Sequence, residues 1–188
     1  MTRRRLVIGI SGASGAVYGI RLLQALAKQP DIETHLVVSL AAGLIITRET
    51  DRTVAEIEGL ADVAYRPDDL AAPIASGSFP TDGMIIVPCS IKTLSAVANS
   101  YAANLVRRAA DVTLKERRPL VLVVRETPLH LGQLRLMVRA AEIGATILPP
   151  IPAFYGRPET IEELIDETLG RVLSQVGVDN DLYTRWKG

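Results

Sequence analysis

Serines lie in the segments that follow three of the short apolar runs in the sequence. Ser14 follows the first run within Gly12-Ala13-Ser14-Gly15, Ser39 follows the second, and Ser90 follows the third. A serine just before a helix, beside the free backbone N–H groups of that helix, suits a phosphate group. Each serine alone is an ordinary helix cap. Three of them at one rim favour the binding of a mononucleotide phosphate or a flavin.

A charged pair, Arg125-Glu126, follows the apolar run at 120–124. A charge at the end of a buried strand is costly unless it is paired or faces a site. We therefore expect both side chains to face a ligand, and a structural ion pair is the alternative.

The glycine-rich turn near the start of the chain differs from a dinucleotide-binding motif. Gly9, Gly12 and Gly15 are spaced G-x-x-G-x-x-G, whereas the dinucleotide motif needs G-x-G-x-x-G and an acidic residue after the second strand. The second apolar run ends instead at Ser39. The pattern therefore favours a mononucleotide or flavin over NAD.

Apolar runs alternate with helical patterns along the whole chain, and runs without polar alternation are typical of buried parallel strands. We predict an α/β fold with a Rossmann-like or flavodoxin-like, doubly wound, mostly parallel sheet in three layers, formed by residues 1–188 as one domain. The predicted strands are 6–10, 35–38, 84–87, 120–124 and 145–148. The predicted helices are 15–28, 40–49, 91–99, 104–117, 130–143 and 160–176.

This fold would bring the polar residues named above together. In doubly wound sheets, ligands bind outside the carboxyl ends of the strands, where the strand order reverses. The segments that follow the predicted strands should therefore form one rim, which includes the proline-rich loop at 149–158.

Composition excludes several classes of function. Lys+Arg and Asp+Glu both number 21, so the net charge is zero and gives no support for nucleic-acid binding. No segment approaches the roughly 18 apolar residues of a membrane span. The single cysteine, Cys89, fits a reducing compartment, and the two histidines, His35 and His130, share no spacing typical of metal ligands. We expect a cytoplasmic protein with no metal site.

Four stretches of the sequence resemble the flavin prenyltransferase family of the UbiX type. They are GISGASGAVYGIRLL, SGSFPTDGMIIVPCSIKTL, RRAADVTLKERRPLVLVVRETPL and PPIPAFYGRPETIEELI. The resemblance runs from residue 6 to residue 186. It implies an enzyme that joins the dimethylallyl group of dimethylallyl monophosphate to N5 and C6 of reduced FMN. The resemblance also implies a homododecamer and a UbiD-type decarboxylase that receives the prenylated flavin.

The resemblance assigns roles to individual positions. FMN contacts are implied at Gly12, Ala13, Ser14, Ser39, Ser90, Ile91, Lys92, Thr93 and Arg125. Lys115, Tyr155 and Arg171 would hold the prenyl phosphate, with Ser76 and Arg108 near it, and Arg108 would also contact FMN. The catalytic polar groups would be Ser14, Glu49, Glu126 and Lys115, and Trp186 would line the prenyl chain. One departure is Leu40, where many relatives have lysine.

Some of these residues also have simpler explanations. Lys115 belongs to a charge run at a helix end, which is usually a solvated face. It lies seven residues, about two turns, after Arg108, so the two can share one side of a helix. Glu49 could be an exposed helix residue, and Arg171 could pair with Glu163 or Glu167.

Two other functions remain as alternatives. One is an FMN-dependent decarboxylase of the cysteine-decarboxylase type, whose members use a histidine on an early helix. This chain has no histidine in its first 34 residues. The other is a carrier that binds FMN without chemistry, although the rim holds more charged groups than FMN alone needs.

Overall fold

The computed structural model describes residues 3–186. Six strands form one sheet in which every neighbouring pair is parallel. The strands are β1 (Arg4–Ile10), β2 (Ile32–Val38), β3 (Val63–Tyr65), β4 (Gly83–Cys89), β5 (Leu120–Val124) and β6 (Ala145–Ile147). The helices are α1 (Ala16–Leu26), α2 (Leu40–Glu49), α3 (Val54–Glu58), α4 (Ile91–Ala98), α5 (Leu105–Lys115), α6 (Leu131–Glu142) and α7 (Ile161–Gln175).

The strand order is β3-β2-β1-β4-β5-β6, so the chain direction across the sheet reverses between β1 and β4. This is the order of the Rossmann fold rather than that of flavodoxin. The prediction of a doubly wound, three-layer α/β fold is confirmed. The reversal places the expected ligand crevice outside the carboxyl ends of β1 and β4.

The core lies in two layers, one on each face of the sheet. Side chains of α1, α2, α3 and α7 pack on one face, among them Leu23 and Leu169. Side chains of α4, α5 and α6 pack on the other, among them Leu94 and Val106. The central strand β4 is buried over its whole length, which explains why its sequence is apolar without alternation.

The predicted elements match the structure with few differences. Five strands and six helices lie within three residues of the predicted bounds. Two elements are additional: the short edge strand β3 and the helix α3, which a capping box between Thr53 and Glu56 begins. A 3-10 turn at Pro73–Ala75 also precedes β4.

Candidate active site

A pocket of about 840 Å³ lies across the carboxyl edge of the sheet. Its lining includes residues that follow β1, β2, β3, β4 and β5, so it spans the point where the strand order reverses. The lining residues are Gly12, Ser39, Leu40, Ala41, Arg66, Pro67, Asp68, Ser90, Ile91, Lys92, Thr93, Ala103, Asn104, Val106, Arg107 and Glu126. Seven of the residues predicted for the site are among them.

Ser11 links the ends of β1 and β4, the two strands between which the strand order reverses. This buried serine donates its hydroxyl hydrogen to the Pro88 carbonyl at 2.9 Å and accepts from the Ser90 backbone N–H at 2.8 Å. The turn after β1 is thereby fixed to the turn after β4. No pattern in the sequence singles out Ser11, because this residue lies inside the glycine-rich stretch and belongs to no recognisable motif.

Two helices begin at the pocket with a serine cap. Ser39 Oγ accepts from the Ala42 N–H at 3.1 Å, and Ser90 Oγ accepts from the Thr93 N–H at 3.3 Å. Ser39 and Ser90 are therefore helix caps, as the pattern predicts. The first backbone N–H groups of α2 and α4 and the positive ends of their dipoles point to this edge, where they suit an anion.

The third serine has a different environment. The cap of α1 is Gly15, in a left-handed conformation at φ 99° and without a side-chain cap, so the interpretation of Ser14 as the residue that caps this helix is wrong. Instead, the Gly15 and Ala16 backbone N–H groups donate to Glu49 Oε2 at 2.8 and 3.1 Å. A carboxylate from the end of α2 thus binds the N-terminus of α1.

Glu49 is also tied to the polar groups around it. Partial burial opposes its ionisation, but hydrogen bonds from Ser14, Gly15 and Ala16 and the charge of Arg125 together hold the pKa of the Glu49 carboxyl below its ordinary value of 4.5. Glu49 is therefore more than a solvated helix residue. It fixes the Gly15 and Ala16 backbone at the end of the turn after β1.

Arg125 and Glu126 follow β5 as the sequence predicts. The Arg125 N–H donates to the Cys89 carbonyl at 3.0 Å, which continues the β4–β5 pairing to the edge of the pocket. Glu126 lines the pocket, and its Oε1 accepts from the Thr127 N–H at 3.1 Å. The charge of Arg125 contributes to lowering the pKa of Glu49. Within residues 3–186 Arg125 forms no ion pair with Glu126, so the structure does not contain the alternative of a structural ion pair.

Cys89 takes no part in the pocket's chemistry. It is fully buried, and burial raises the pKa of its thiol to about 12, so the thiolate that a nucleophile needs is scarce. Within residues 3–186, no three of the His, Cys, Asp and Glu side chains are grouped as a metal ion would require.

The pocket fits FMN. Its volume lies within the range of about 300–1,000 Å³ that is usual for cofactor sites. Ile91 and Val106 supply apolar wall, and Lys92 and two helix N-termini supply positive potential. Gly12 allows close approach at the turn, because a Cβ there would lie 2.5 Å from the Ala41 Cβ.

Three other predicted residues form a second group outside this pocket, beside the Pro73–Ala75 turn. Arg108 Nε donates to the Ala75 carbonyl at 3.0 Å, next to Ser76. Lys115 pairs with Glu116 beside Gly77. Lys115 ends α5, whereas the start of that helix lies at the pocket, about 16 Å away along the helix axis. The structure therefore joins Ser76, Arg108 and Lys115 to one another, but not to Ser14 and Glu126.

The third group lies near the C-terminus. Tyr155 and Arg171 line a cavity of about 60 Å³, and Tyr155 meets Trp186 edge to face at 5.7 Å. The guanidinium of Arg171 lies 5.6 Å from the centre of the Tyr183 ring. Within residues 3–186 it makes no ion pair with Glu163 or Glu167, so the simpler explanation for Arg171 does not hold.

Sequence reasoning also missed Arg107 and Arg66, which line the main pocket. Arg107 stands beside Arg108 in the sequence. Helical spacing shows that two adjacent residues face different directions, but it does not show which of them faces the pocket.

The order of the strands, the position of the pocket and its two serine-capped helices define a flavoprotein site. In agreement, the sequence profile of the Flavoprotein family matches residues 1–173. Flavin prenyltransferase UbiX of Escherichia coli (strain K12) is 59% identical over 187 residues, which cover 98% of this chain and 99% of that protein. The chain belongs to the flavin prenyltransferases of the UbiX type within the flavoprotein family.

Solved structures agree with this assignment. AnUbiX (PadA1), in complex with FMN and dimethylallyl pyrophosphate, has a TM-score of 0.96 and 48% identity and covers 99% of this chain and 98% of its own. The dodecameric FMN-dependent Ubix-like decarboxylase from Escherichia coli O157:H7 has a TM-score of 0.95 and 47% identity, with 98% and 100% covered. In the described part of this chain, no helix combines the length and hydropathy of a membrane span.

Proposed function

We propose that the chain transfers the dimethylallyl group of dimethylallyl monophosphate to N5 and C6 of reduced FMN and releases phosphate. The observation that supports this most is the pocket at the β1–β4 reversal, in a fold shared at 48% identity with a structure in complex with FMN and dimethylallyl pyrophosphate. The product would serve a UbiD-type decarboxylase. We place the reaction in the cytoplasm, in keeping with the lone, buried, unpaired Cys89.

Residues of this chain would act first by position and charge. Reduced FMN, when bound, supplies a nucleophilic nitrogen. The turn at Gly12 and the starts of α2 and α4 would hold the flavin in one orientation, and alignment of reactants can supply a large part of the barrier reduction. Cations placed around the prenyl phosphate would stabilise the negative charge that develops as its C–O bond lengthens. Lys115, Arg125 and Arg171 are the cations we assign to that task, so that a metal ion is not needed.

The proton transfers would involve Ser14 and Glu126. Alkylation at two flavin positions releases protons, and groups within hydrogen-bond reach accelerate such transfers. Glu126 lines the pocket, and Ser14 lies in the turn after β1, next to the Gly15 N–H that donates to Glu49. The departing phosphate would serve as a further base.

The separation of the three residue groups supports a site shared between subunits. Lys115 is too far along α5 to reach the pocket of its own chain, and Tyr155 and Arg171 line a different cavity. In a homododecamer, these groups can complete the pocket of a neighbouring chain. We assign Tyr155 and Arg171 to the Ser14 site of a neighbouring chain. Because Lys115 lies far from the pocket of its own chain, we assign Ser76, Arg108 and Lys115 to a neighbouring chain's site as well.

Phosphate release under anaerobic conditions tests this function. The protein, dimethylallyl monophosphate and reduced FMN are incubated with a metal chelator, and inorganic phosphate is measured over time. We expect release that requires reduced FMN and is slowed by about 10²–10⁴ in Ser14→Ala and Glu126→Gln, because each variant removes a proton-transfer group. Glu142→Gln, which removes an exposed carboxylate on α6, is the matched control and should keep the wild-type rate.

Each alternative function predicts a different result. A carrier would bind FMN and release no phosphate. A cysteine decarboxylase would release carbon dioxide from a peptide with a C-terminal cysteine, and none of its activity would depend on the prenyl donor. Either result would contradict the proposed function.

A further inference from the structure

The main pocket has two ends that differ in chemistry. Glu126 follows β5 and Ser39 follows β2, and three strand spacings of about 4.8 Å, together about 14 Å, separate these strands in the sheet. Arg66 follows β3, beyond Ser39. We call the part lined by Ser39, Leu40, Arg66 and Arg107 the β2–β3 end.

Arg107 belongs to this end because of how α5 begins. The Leu105 N–H, at the first residue of α5, donates to the Pro67 carbonyl in the loop after β3 at 2.9 Å. Asn104 caps the helix through the Arg107 backbone N–H at 3.1 Å. The first turn of α5 is therefore fixed beside the loop after β3, with Arg107 in the wall of the pocket.

The guanidinium of Arg107 has no partner in the described part of the chain. Its Nε is buried and makes no hydrogen bond. The neighbouring arginines differ: Arg66 donates to both carboxylate oxygens of Asp68 at 3.1 and 2.8 Å, and Arg108 pairs with Asp111 at 2.9 Å. Since Arg107 lines the pocket and no carboxylate within residues 3–186 pairs with it, the terminal N–H groups of its guanidinium are available to an acceptor that enters the pocket.

Residue 40 adds no positive charge at this end of the pocket. Leu40 is the first residue of α2, lines the same end and is 83% exposed. It supplies no charge to an anion bound at the N-terminus of α2. The helix dipole alone gives only a partial positive charge, whereas Arg107 supplies a full one with several N–H donors in a planar fork that matches phosphate geometry.

We propose that Arg107 binds the phosphate of FMN at the β2–β3 end and makes the site select FMN over riboflavin. In this chain it supplies the positive charge that Leu40 does not. The flavin ring would then extend towards Glu126 at the β5 end, where the reaction takes place. This assignment rests on the proposed function, since it requires FMN in this pocket.

Equilibrium binding of two flavins tests the assignment. The dissociation constants of FMN and riboflavin are measured by quenching of flavin fluorescence for the wild type and Arg107→Gln. We expect Arg107→Gln to weaken FMN binding on the order of 10- to 100-fold, since it removes charge-assisted hydrogen bonds. Riboflavin, which has no phosphate, should bind both proteins equally. Arg52→Gln, which removes an exposed arginine outside the pocket, should change neither constant.

Two further variants sharpen the result. Arg107→Lys keeps the charge and should retain most of the preference for FMN, which provides a folded comparison if Arg107→Gln is poorly stable. Leu40→Lys added to Arg107→Gln should restore FMN affinity by about 10-fold, because it returns a cation to the same end of the pocket.

The assignment is overturned if Arg107→Gln leaves FMN affinity unchanged or weakens both flavins equally. It is also overturned if Arg107→Gln raises the KM for dimethylallyl monophosphate without affecting FMN binding, which would place Arg107 at the prenyl phosphate. A wild-type protein that binds neither flavin would instead contradict the proposed function itself.

Discussion

Glu49 illustrates how one carboxylate organises several parts of the site. It ends α2 and accepts hydrogen bonds from two backbone N–H groups at the start of α1. An anionic side chain therefore already occupies the N-terminus of α1. The helix N-termini that remain available to a bound phosphate are those of α2 and α4.

The stability of the protein should depend on the ionisation of Glu49. Its pKa is lowered in the folded protein, so the ionised carboxylate stabilises the fold above about pH 4.5, and this contribution is lost as the pH falls through the folded pKa. Glu49→Gln should lower the free energy of unfolding at pH 7 by about 0.3–1 kcal/mol, the usual value for an exposed anion at a helix N-terminus. The difference between wild type and variant should vanish at acid pH. Urea unfolding at matched protein concentration measures both.

Glu142→Gln serves as the control for the Glu49 variant, because Glu142 is exposed near the end of α6. A Glu49→Gln effect that is independent of pH, or that grows as the pH falls, would show that Glu49 does not stabilise the fold through its charge.

At the same scale, the sequence predicts some site residues better than others. Ser39, Ser90 and Glu126 are found because each follows an apolar strand, and that position alone brings them to the pocket. Ser11 and Arg107 are missed because their roles depend on tertiary contacts: a bond across to β4 and the packing of α5 beside the loop after β3. No local spacing encodes either contact.

At the scale of elements, the close packing of α1 on the sheet sets the position of the turn after β1. Gly19 lies on the sheet-facing side of α1, where a Cβ would come within 2.8 Å of both the Val87 carbonyl oxygen and the Ile10 Cδ1. The last glycine of the opening stretch is therefore required for packing, while Gly12 and Gly15 shape the turn.

Gly19→Ala should destabilise the protein by about 1–3 kcal/mol, because a methyl group must force α1 away from backbone atoms of β4. It should also weaken FMN binding, since α1 and the turn before it move together. Gly59→Ala is the control: its Cβ would lie 3.5 Å from the nearest atoms and its φ is –67°. Equal stability of the two alanine variants in urea unfolding would show that α1 has room to move.

The elements themselves follow from the sequence where apolar patterns are long. The buried strand β4 and the amphipathic helix α5 are examples, with buried residues recurring at helical spacing in α5. The strand β3 has only three residues, lies at the edge of the sheet and is partly exposed. Its pairing with β2, rather than its own sequence, makes it a strand.

At the scale of the whole molecule, several apolar side chains lack a partner within one chain. On α6, Leu131, Leu134 and Val138 are exposed and lie three to four residues apart, on one side of the helix. An apolar stripe of this kind suits burial against another subunit. It agrees with the proposed oligomer and with a site that neighbouring chains complete.

Complementation between two inactive variants tests the shared site. Ser14→Ala and Arg171→Ala proteins are dissociated, mixed and reassembled. Some pockets would then combine an intact Ser14 of one chain with an intact Arg171 of another, and we expect partial recovery of phosphate release. Each variant dissociated and reassembled alone is the control. Mixed oligomers, verified by mass spectrometry, that remain inactive would show that both residues serve the pocket of one chain.

The mass of the flavin recovered after reaction tests the proposed function most directly. Wild-type protein is incubated anaerobically with reduced FMN and dimethylallyl monophosphate in the presence of a chelator, and the released flavin is analysed by mass spectrometry and absorbance. The proposed function predicts a flavin heavier by one five-carbon prenyl group, which is absent without the prenyl donor. Recovery of unchanged FMN from protein that demonstrably binds both compounds would contradict it.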